Sequence, residues 1–330
     1  MARKLVVLFD GTWNTPEDQT NVTRLAQLLA ARDADGNEQL PFYDKGVGTH
    51  ALDRLSGGIF GYGLSDNIRQ AYGWLAASYQ PDDELFFFGF SRGAYTARSL
   101  VGLIRKCGVL HSPDPNLVRQ AYDLYRDKNV HPDSPEATSF RASFATLPRV
   151  RFIGVWDTVG ELGVPVSGVP FSRDYYRFHD TELSKIVDYA YHALALDENR
   201  KDFAPTVWTA HKPENKEVEQ RWFIGAHSNV GGGYRHDALP NLALAWLQQK
   251  AGECGLAFKN DVVVGPEDHL APIRDSYSEF MYGLYKLVKR GRRYIRVFGR
   301  GVNETVDDSV WKRWDARADY RPPTVAAQHR

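Results

Sequence analysis

The sequence predicts an α/β fold, with a mainly parallel central sheet, helices on both faces and helical insertions. Three observations predict it. Short apolar runs without polar alternation recur along the chain, stretches with helical apolar spacing separate them, and several runs end in polar, glycine-containing turns.

The elements follow in order. Lys4–Asp10 is a continuous apolar run ending in Asp10-Gly11, which reads as a buried strand. Asn21–Ala31 has helical spacing through Val22, Leu25, Leu28 and Leu29. Gln39–Tyr43 is a weaker strand, and Leu64–Tyr79 a helix with Ile68, Tyr72 and Leu75 on one face. Glu84–Phe90 is a strand of bulky aromatics with the helix Arg92–Cys107 directly after it. Arg149–Trp156 and Arg221–Ala226 are two further strands, and Asp237–Ala251 is a helix. Between strands, His111–Leu147 reads as helices and loops placed over the site, and Gly163–Thr181 as an irregular stretch holding Pro165 and Pro170. No internal repeat or low-complexity linker interrupts the pattern. Residues 1–330 are therefore read as one domain with insertions around 111–147, 163–181 and 260–300.

Bulk properties narrow the function. At 330 residues and 43% hydrophobic content the chain can bury a large core. Its 41 basic and 41 acidic residues cancel, so nothing calls for a nucleic acid or an acidic partner. Cys107 and Cys254 have no metal-ligand spacing, so no metal is expected, and both are expected reduced. No feature calls for a cofactor, and oligomeric state is not readable. The Leu5–Phe9 run is too short for a signal-peptide core, and no stretch approaches the roughly 20 apolar residues of a membrane span. The expectation is a chain that is cytoplasmic as synthesised, with export open to a route that reads no N-terminal signal.

The chemistry concentrates at one turn. Gly89-Phe90-Ser91-Arg92-Gly93 is a Gly-x-Ser-x-Gly motif, weak alone but strong between the apolar run Leu85–Phe88 and the helix from Ala94. That context is the nucleophile elbow of an α/β-hydrolase fold, and Ser91 is the candidate nucleophile. The competing reading is a glycine-rich turn with Ser91 as a plain N-cap. Partners should follow as acid, then histidine, at later strand ends. Asp157 ends the Val150–Trp156 strand, and His227 ends Arg221–Ala226. His227 would take the Ser91 proton, and Asp157 would fix its tautomer. The rival base His236 opens a helix and reads as surface; the rival acid Asp197, on a helical pattern, reads as a structural partner of Arg200 or Arg221. The first strand should lie beside the elbow strand, which makes the N–H groups of Gly11 or Thr12 and of Arg92 candidate oxyanion donors. Asp10 either orders that loop, touches the site or caps Asn14.

Five blocks together carry a family resemblance: Phe9–Asn14, Gly89–Ala94, Val155–Gly160, Ala195–Arg200 and Gly225–Tyr234. The sequence resembles the catalytic domain of the type VI secretion lipase effectors of the first class, formerly a domain of unknown function. The resemblance implies an α/β-hydrolase fold, phospholipase A or related ester hydrolysis, and the family's serine, aspartate and histidine on Ser91, Asp157 and His227. It also implies a lipid ester as substrate and export by a type VI-like route. Asn229 stands where that pattern would have an aspartate.

Residues 277–300 mix Phe280, Met281, Leu284, Tyr285 and Ile295 with Lys286, Lys289, Arg290, Arg292, Arg293, Arg296 and Arg300. Such a basic amphipathic segment can make peripheral contact with an anionic membrane; the competing reading is a packed element with a solvated basic edge. Function thus has three readings: a serine ester hydrolase of lipase or phospholipase type, an esterase for soluble or polymeric esters, and a non-catalytic hydrolase-like binding module.

Overall fold

The computed structural model describes residues 2–11, 16–45, 59–160, 181–279, 285–286 and 291–329. Seven parallel strands form one sheet in the order β2-β1-β3-β6-β7-β8-β9. They are β1 (Lys4–Phe9), β2 (Gln39–Asp44), β3 (Glu84–Phe90), β6 (Val150–Trp156), β7 (Val187–Ala195), β8 (Glu217–Phe223) and β9 (Glu304–Val306). A two-residue antiparallel ribbon, β4 (Val109–Leu110) with β5 (Ala145–Thr146), closes the excursion between β3 and β6.

The lack of polar alternation in the inner strands has its expected cause, since both sheet faces are covered. Leu5, Val7 and Phe9 of β1 join Leu85 and Phe87 of β3 under the helices α2 (Ile59–Ser78) and α3 (Arg92–Cys107). Val6 and Leu8, with Phe86, Phe88 and Phe90, point the other way, onto α1 (Asn21–Leu28) and α7 (Pro240–Glu253). The aromatic rings form a continuous layer on that second face: Phe88 lies 5.2 Å from Phe152, and Phe152 lies 5.3 Å from Tyr191, centroid to centroid.

In the 111–147 stretch, α4 (Pro115–Arg126) and α5 (Pro135–Phe144) pack on α2 and α3, thickening one helical layer. Val118, Ala121 and Tyr122 of α4 join the same core as the inner faces of α2 and α3. The expectation that this insertion lies over the site gives way to that packing. The 163–181 stretch falls almost entirely outside the described residues.

Two strands of the seven-stranded sheet are absent from the sequence reading. β7 is covered on both faces and carries Ala190, Ala193 and Ala195 with Val187 as its one β-branched residue, so neither alternation nor β-branching marks it. β9 is only three residues long, on the sheet edge. Consequently Asp197 follows a strand in a turn, not a helix. Helix α7 starts at Pro240, later than the pattern suggested, because proline suits the first helical position.

Register places the chemistry. Phe9 pairs with Gly89, Phe90 with Trp156, Trp156 with Ala193, and Ala195 with Phe223. The segments leaving β1, β3, β6, β7 and β8 therefore emerge along one carboxyl edge, where open parallel sheets hold their ligands.

Candidate active site

Ser91 sits between β3 and α3 with φ 59° and ψ −121°, a conformation L-residues rarely adopt. The flanking glycines make that turn passable. A Cβ on Gly93 would lie 2.2 Å from the Phe9 carbonyl oxygen, and one on Gly89 2.5 Å from the Gly93 oxygen. Only bare backbone lets the start of α3 approach the end of β1 this closely. The Ser91 N–H donates to the Trp156 carbonyl at 3.0 Å, tying the turn to the neighbouring strand.

His227 opens the short helix α6 (His227–Gly231), after a turn in which Gly225 has φ 109°. Its Nε2 is 2.8 Å from Ser91 Oγ, and its Nδ1 is 2.5 Å from Asp157 Oδ2. The structure thus brings Ser91, His227 and Asp157 into one hydrogen-bonded line across the ends of β3, β8 and β6. The Phe90 and Phe203 rings pack against the imidazole at 4.6 Å and 5.1 Å between centroids, fixing its position. His227 is almost fully buried, and Asp157 is completely so.

Electrostatics fix the protonation states. Burial opposes ionisation of Asp157, but the Arg296 guanidinium and the His227 hydrogen bond outweigh it and hold the carboxyl well below its usual range. Burial pushes the His227 imidazole below its ordinary value against the pull of Asp157. A neutral imidazole beside an ionised carboxylate carries its proton on Nδ1, leaving Nε2 to accept from Ser91. His192, buried behind Asp157, accepts from the Thr158 N–H at 3.0 Å, and burial lowers its pKa to about 3.

This arrangement can move a proton from a hydroxyl to an imidazole in a water-poor site and stabilise the imidazolium that forms. Residues 3–250 match the family described as T6SS phospholipase effector Tle1-like, catalytic domain. The chain belongs to this family. An uncharacterised yeast protein, YEL023C of Saccharomyces cerevisiae, is 29% identical over 233 residues, covering 63% of this chain and 33% of that protein. An uncharacterised Pseudomonas aeruginosa structure aligns with TM-score 0.44 at 18% identity, over 82% of this chain and 48% of that one. Esterase 2 of Thermogutta terrifontis aligns with TM-score 0.40 at 13% identity, over 78% and 85% of the two chains. The chain spans about a third of the yeast relative and about half of the Pseudomonas one. Family membership supports an ester hydrolase.

The Tle1-like site departs from the sequence reading in several particulars. Gly11 is corrected as an oxyanion donor, because its N–H donates to the carboxylate of Asp10 at 2.6 Å. Asp10 Oδ2 also accepts from Thr20 and Thr23 hydroxyls and the Tyr43 phenol, at 2.7, 2.9 and 2.9 Å. Asp10 therefore orders the loop beside the site. Burial, partly offset by these donors, raises its pKa. Thr12 and Asn14 lie outside the described residues. Arg92 begins α3, where first-turn N–H groups have no intrahelical acceptor, and its backbone N–H sits next to Ser91.

Asp197 does not pair with Arg200 or Arg221; it accepts from the Gly225 N–H at 2.7 Å and the Tyr320 hydroxyl at 3.1 Å. Arg200 instead binds the fully buried Glu198, which also accepts from the His227 N–H at 3.2 Å and the Ser276 hydroxyl at 2.9 Å. His236 is exposed, in the turn before α7. Asn229 is buried under the His227 turn: its Oδ1 accepts from the Ala226 N–H at 3.0 Å, and its Nδ2 donates to Asp237 at 2.7 Å. An aspartate could not make that donation, which accounts for the amide here.

Of the 277–300 segment, residues 280–284 and 287–290 lie outside the described residues. Arg296 is 1% exposed and points into the site rather than toward a membrane. The sequence reading placed it among the basic residues of a membrane-facing segment, whereas its neighbours Ile295 and Val297 are exposed and the arginine is buried. Among the described residues no helix is long and apolar enough to cross a membrane, and no three acidic, histidine or cysteine side chains converge on a metal-sized site.

Proposed function

We propose that this Tle1-like chain is a serine hydrolase of carboxylic esters working through an acyl-enzyme, with phospholipid or a related lipid ester as substrate. The observation that carries the reading is the line from Ser91 Oγ through His227 to Asp157, with contacts of 2.8 and 2.5 Å. Ser91 Oγ attacks the ester carbonyl as its proton passes to His227 Nε2. The Arg92 N–H at the start of α3 helps hold the developing oxyanion. His227 returns the proton to the leaving alcohol, then activates the water that frees the acyl group. Asp157 stays ionised throughout and steadies the imidazolium.

Family membership supports the lipid substrate and delivery by a type VI route. The test is hydrolysis of nitrophenyl esters from acetyl to palmitoyl, and of phospholipid vesicles, by wild type and Ser91→Ala. Serine-dependent turnover strongest on long chains or vesicles is expected. Activity confined to short soluble esters would replace the lipid assignment with a soluble-ester one, and undiminished turnover in Ser91→Ala would remove the serine mechanism.

A further inference from the structure

Arg296 lies beyond residue 250, where the family match ends, yet it occupies the centre of the site. Its Nη1 donates to Asp157 Oδ1 at 2.6 Å and to the Ala195 carbonyl at 2.7 Å. Its Nη2 donates to Asp157 Oδ2 at 2.9 Å and to the Phe203 carbonyl at 2.6 Å. The terminal nitrogens of the guanidinium are thus held between the ends of β6 and β7 and the turn carrying Phe203. The arginine is itself anchored, since its carbonyl accepts from the Thr324 hydroxyl at 2.9 Å.

The carboxylate it grips is held in an unusual position. Asp157 has φ 39°, a left-handed conformation that a residue with a Cβ keeps only when its surroundings over-determine it. The Ala195 N–H, at 2.9 Å from Oδ1, and the two arginine nitrogens supply that determination. Without the cation, a fully buried carboxylate would lean on one amide and one imidazole alone.

We propose that Arg296 is a positioning residue of the catalytic centre: it aligns the Asp157 carboxylate on His227 and keeps the Asp157–His227 pair one proton short at working pH. The assignment rests on the serine-hydrolase reading above. The proton argument holds wherever the proton resides within the pair, because a buried positive charge disfavours protonation of either member. Among the described residues, the other titratable or charged groups facing the pair are Glu198 and Arg200 from the turn after β7, and His192 within β7, which itself faces Arg98 of α3. Glu198 and Arg200 are ion-paired with each other, and His192 is neutral through burial. Arg296 is therefore the cation whose charge acts on the pair most directly.

The experiment combines NMR titration of the His227 ring, assigned with His227→Gln, and pH–rate profiles for wild type, Arg296→Gln and Arg296→Lys. Arg296→Gln should raise the midpoint of the pair by about one pH unit, tenfold in proton affinity, and carry the acid limb of kcat/KM with it. Arg296→Lys keeps the charge but cannot grip both carboxylate oxygens as a fork. Its midpoint should stay near wild type while kcat falls about 10²-fold at unchanged KM. An arginine that merely supports folding would lower activity evenly across pH, and an unmoved midpoint in Arg296→Gln overturns the proposal. Should Arg296→Gln not fold, Arg296→Lys decides alone: the kcat loss at an unmoved midpoint supports the proposal, and full kcat overturns it. Should wild type hydrolyse no ester, the serine-hydrolase reading fails, while the ring titration still decides the role of Arg296.

Discussion

Replacing Asp157 by asparagine probes the line of hydrogen bonds most sharply, because the surrounding donors dictate which way the amide must face. Oδ1 of Asp157 receives the Ala195 N–H at 2.9 Å and Arg296 Nη1 at 2.6 Å, while Oδ2 meets Arg296 Nη2 at 2.9 Å and His227 Nδ1 at 2.5 Å. With the amide NH₂ at the Oδ1 position, two fixed donors oppose it. With NH₂ at the Oδ2 position, only Arg296 Nη2 opposes it, because His227 can change tautomer and accept on Nδ1. The second orientation wins, and His227 then carries its proton on Nε2, facing Ser91. It can no longer accept the serine proton. The expected loss in kcat is about 10⁴-fold, or about 5.5 kcal/mol of transition-state stabilisation. The substitution also leaves Arg296 buried without its counter-ion, at a cost of about 3–5 kcal/mol in stability. The assay is therefore steady-state ester hydrolysis below the unfolding transition, with the folded fraction of each sample measured by circular dichroism. Folded Asp157→Asn within tenfold of wild-type kcat would refute the tautomer argument.

Other consequences follow from the same geometry. Because burial lowers the His227 pKa, the acid limb of kcat/KM should have its midpoint below the ordinary 6.5, and a midpoint above that value would contradict the neutral-imidazole assignment. Burial of Glu198 is outweighed by Arg200, leaving its pKa at about 2 against an ordinary 4.5. A depressed carboxylate stabilises the fold above its unfolded pKa, so melting temperature should fall as pH drops from about 4.5 toward 2, less steeply in Glu198→Gln. Gly93→Ala places a methyl 2.2 Å from the Phe9 oxygen, so α3 must back away; about 3 kcal/mol of stability and most serine-dependent turnover should be lost together. Ser91→Ala, His227→Ala and the double variant should show similar residual rates, since the two groups act on one proton; multiplying losses would mean independent roles.

What could be read from the sequence is what local pattern encodes. The buried run Leu85–Phe88, two glycines and a helix after Ser91 imply a strained turn without any tertiary information. Asp157 and His227 were visible because each follows an apolar run, and Asp10 because it ends the first one. Oxyanion geometry was less accessible: whether the Gly11 N–H faces a substrate or its neighbour's carboxylate depends on a side-chain rotamer. β7 was hidden because alanines fit either element, and packing on both faces, rather than propensity, made it a strand. Glu198 and Arg296 were hidden for another reason. Charged residues are normally read as surface, and what reverses that here is a partner two residues away for one and 139 residues away for the other.

That last separation has a consequence for how the protein is made. Ser91, Asp157 and His227 are present in a growing chain once residue 227 has been added, and the strands β1, β3, β6, β7 and β8 are complete before it. The counter-ion of Asp157 comes only at residue 296, and the edge strand β9 at residues 304–306. A growing chain therefore holds Ser91, Asp157 and His227 before the cation that balances the Asp157 carboxylate has been added.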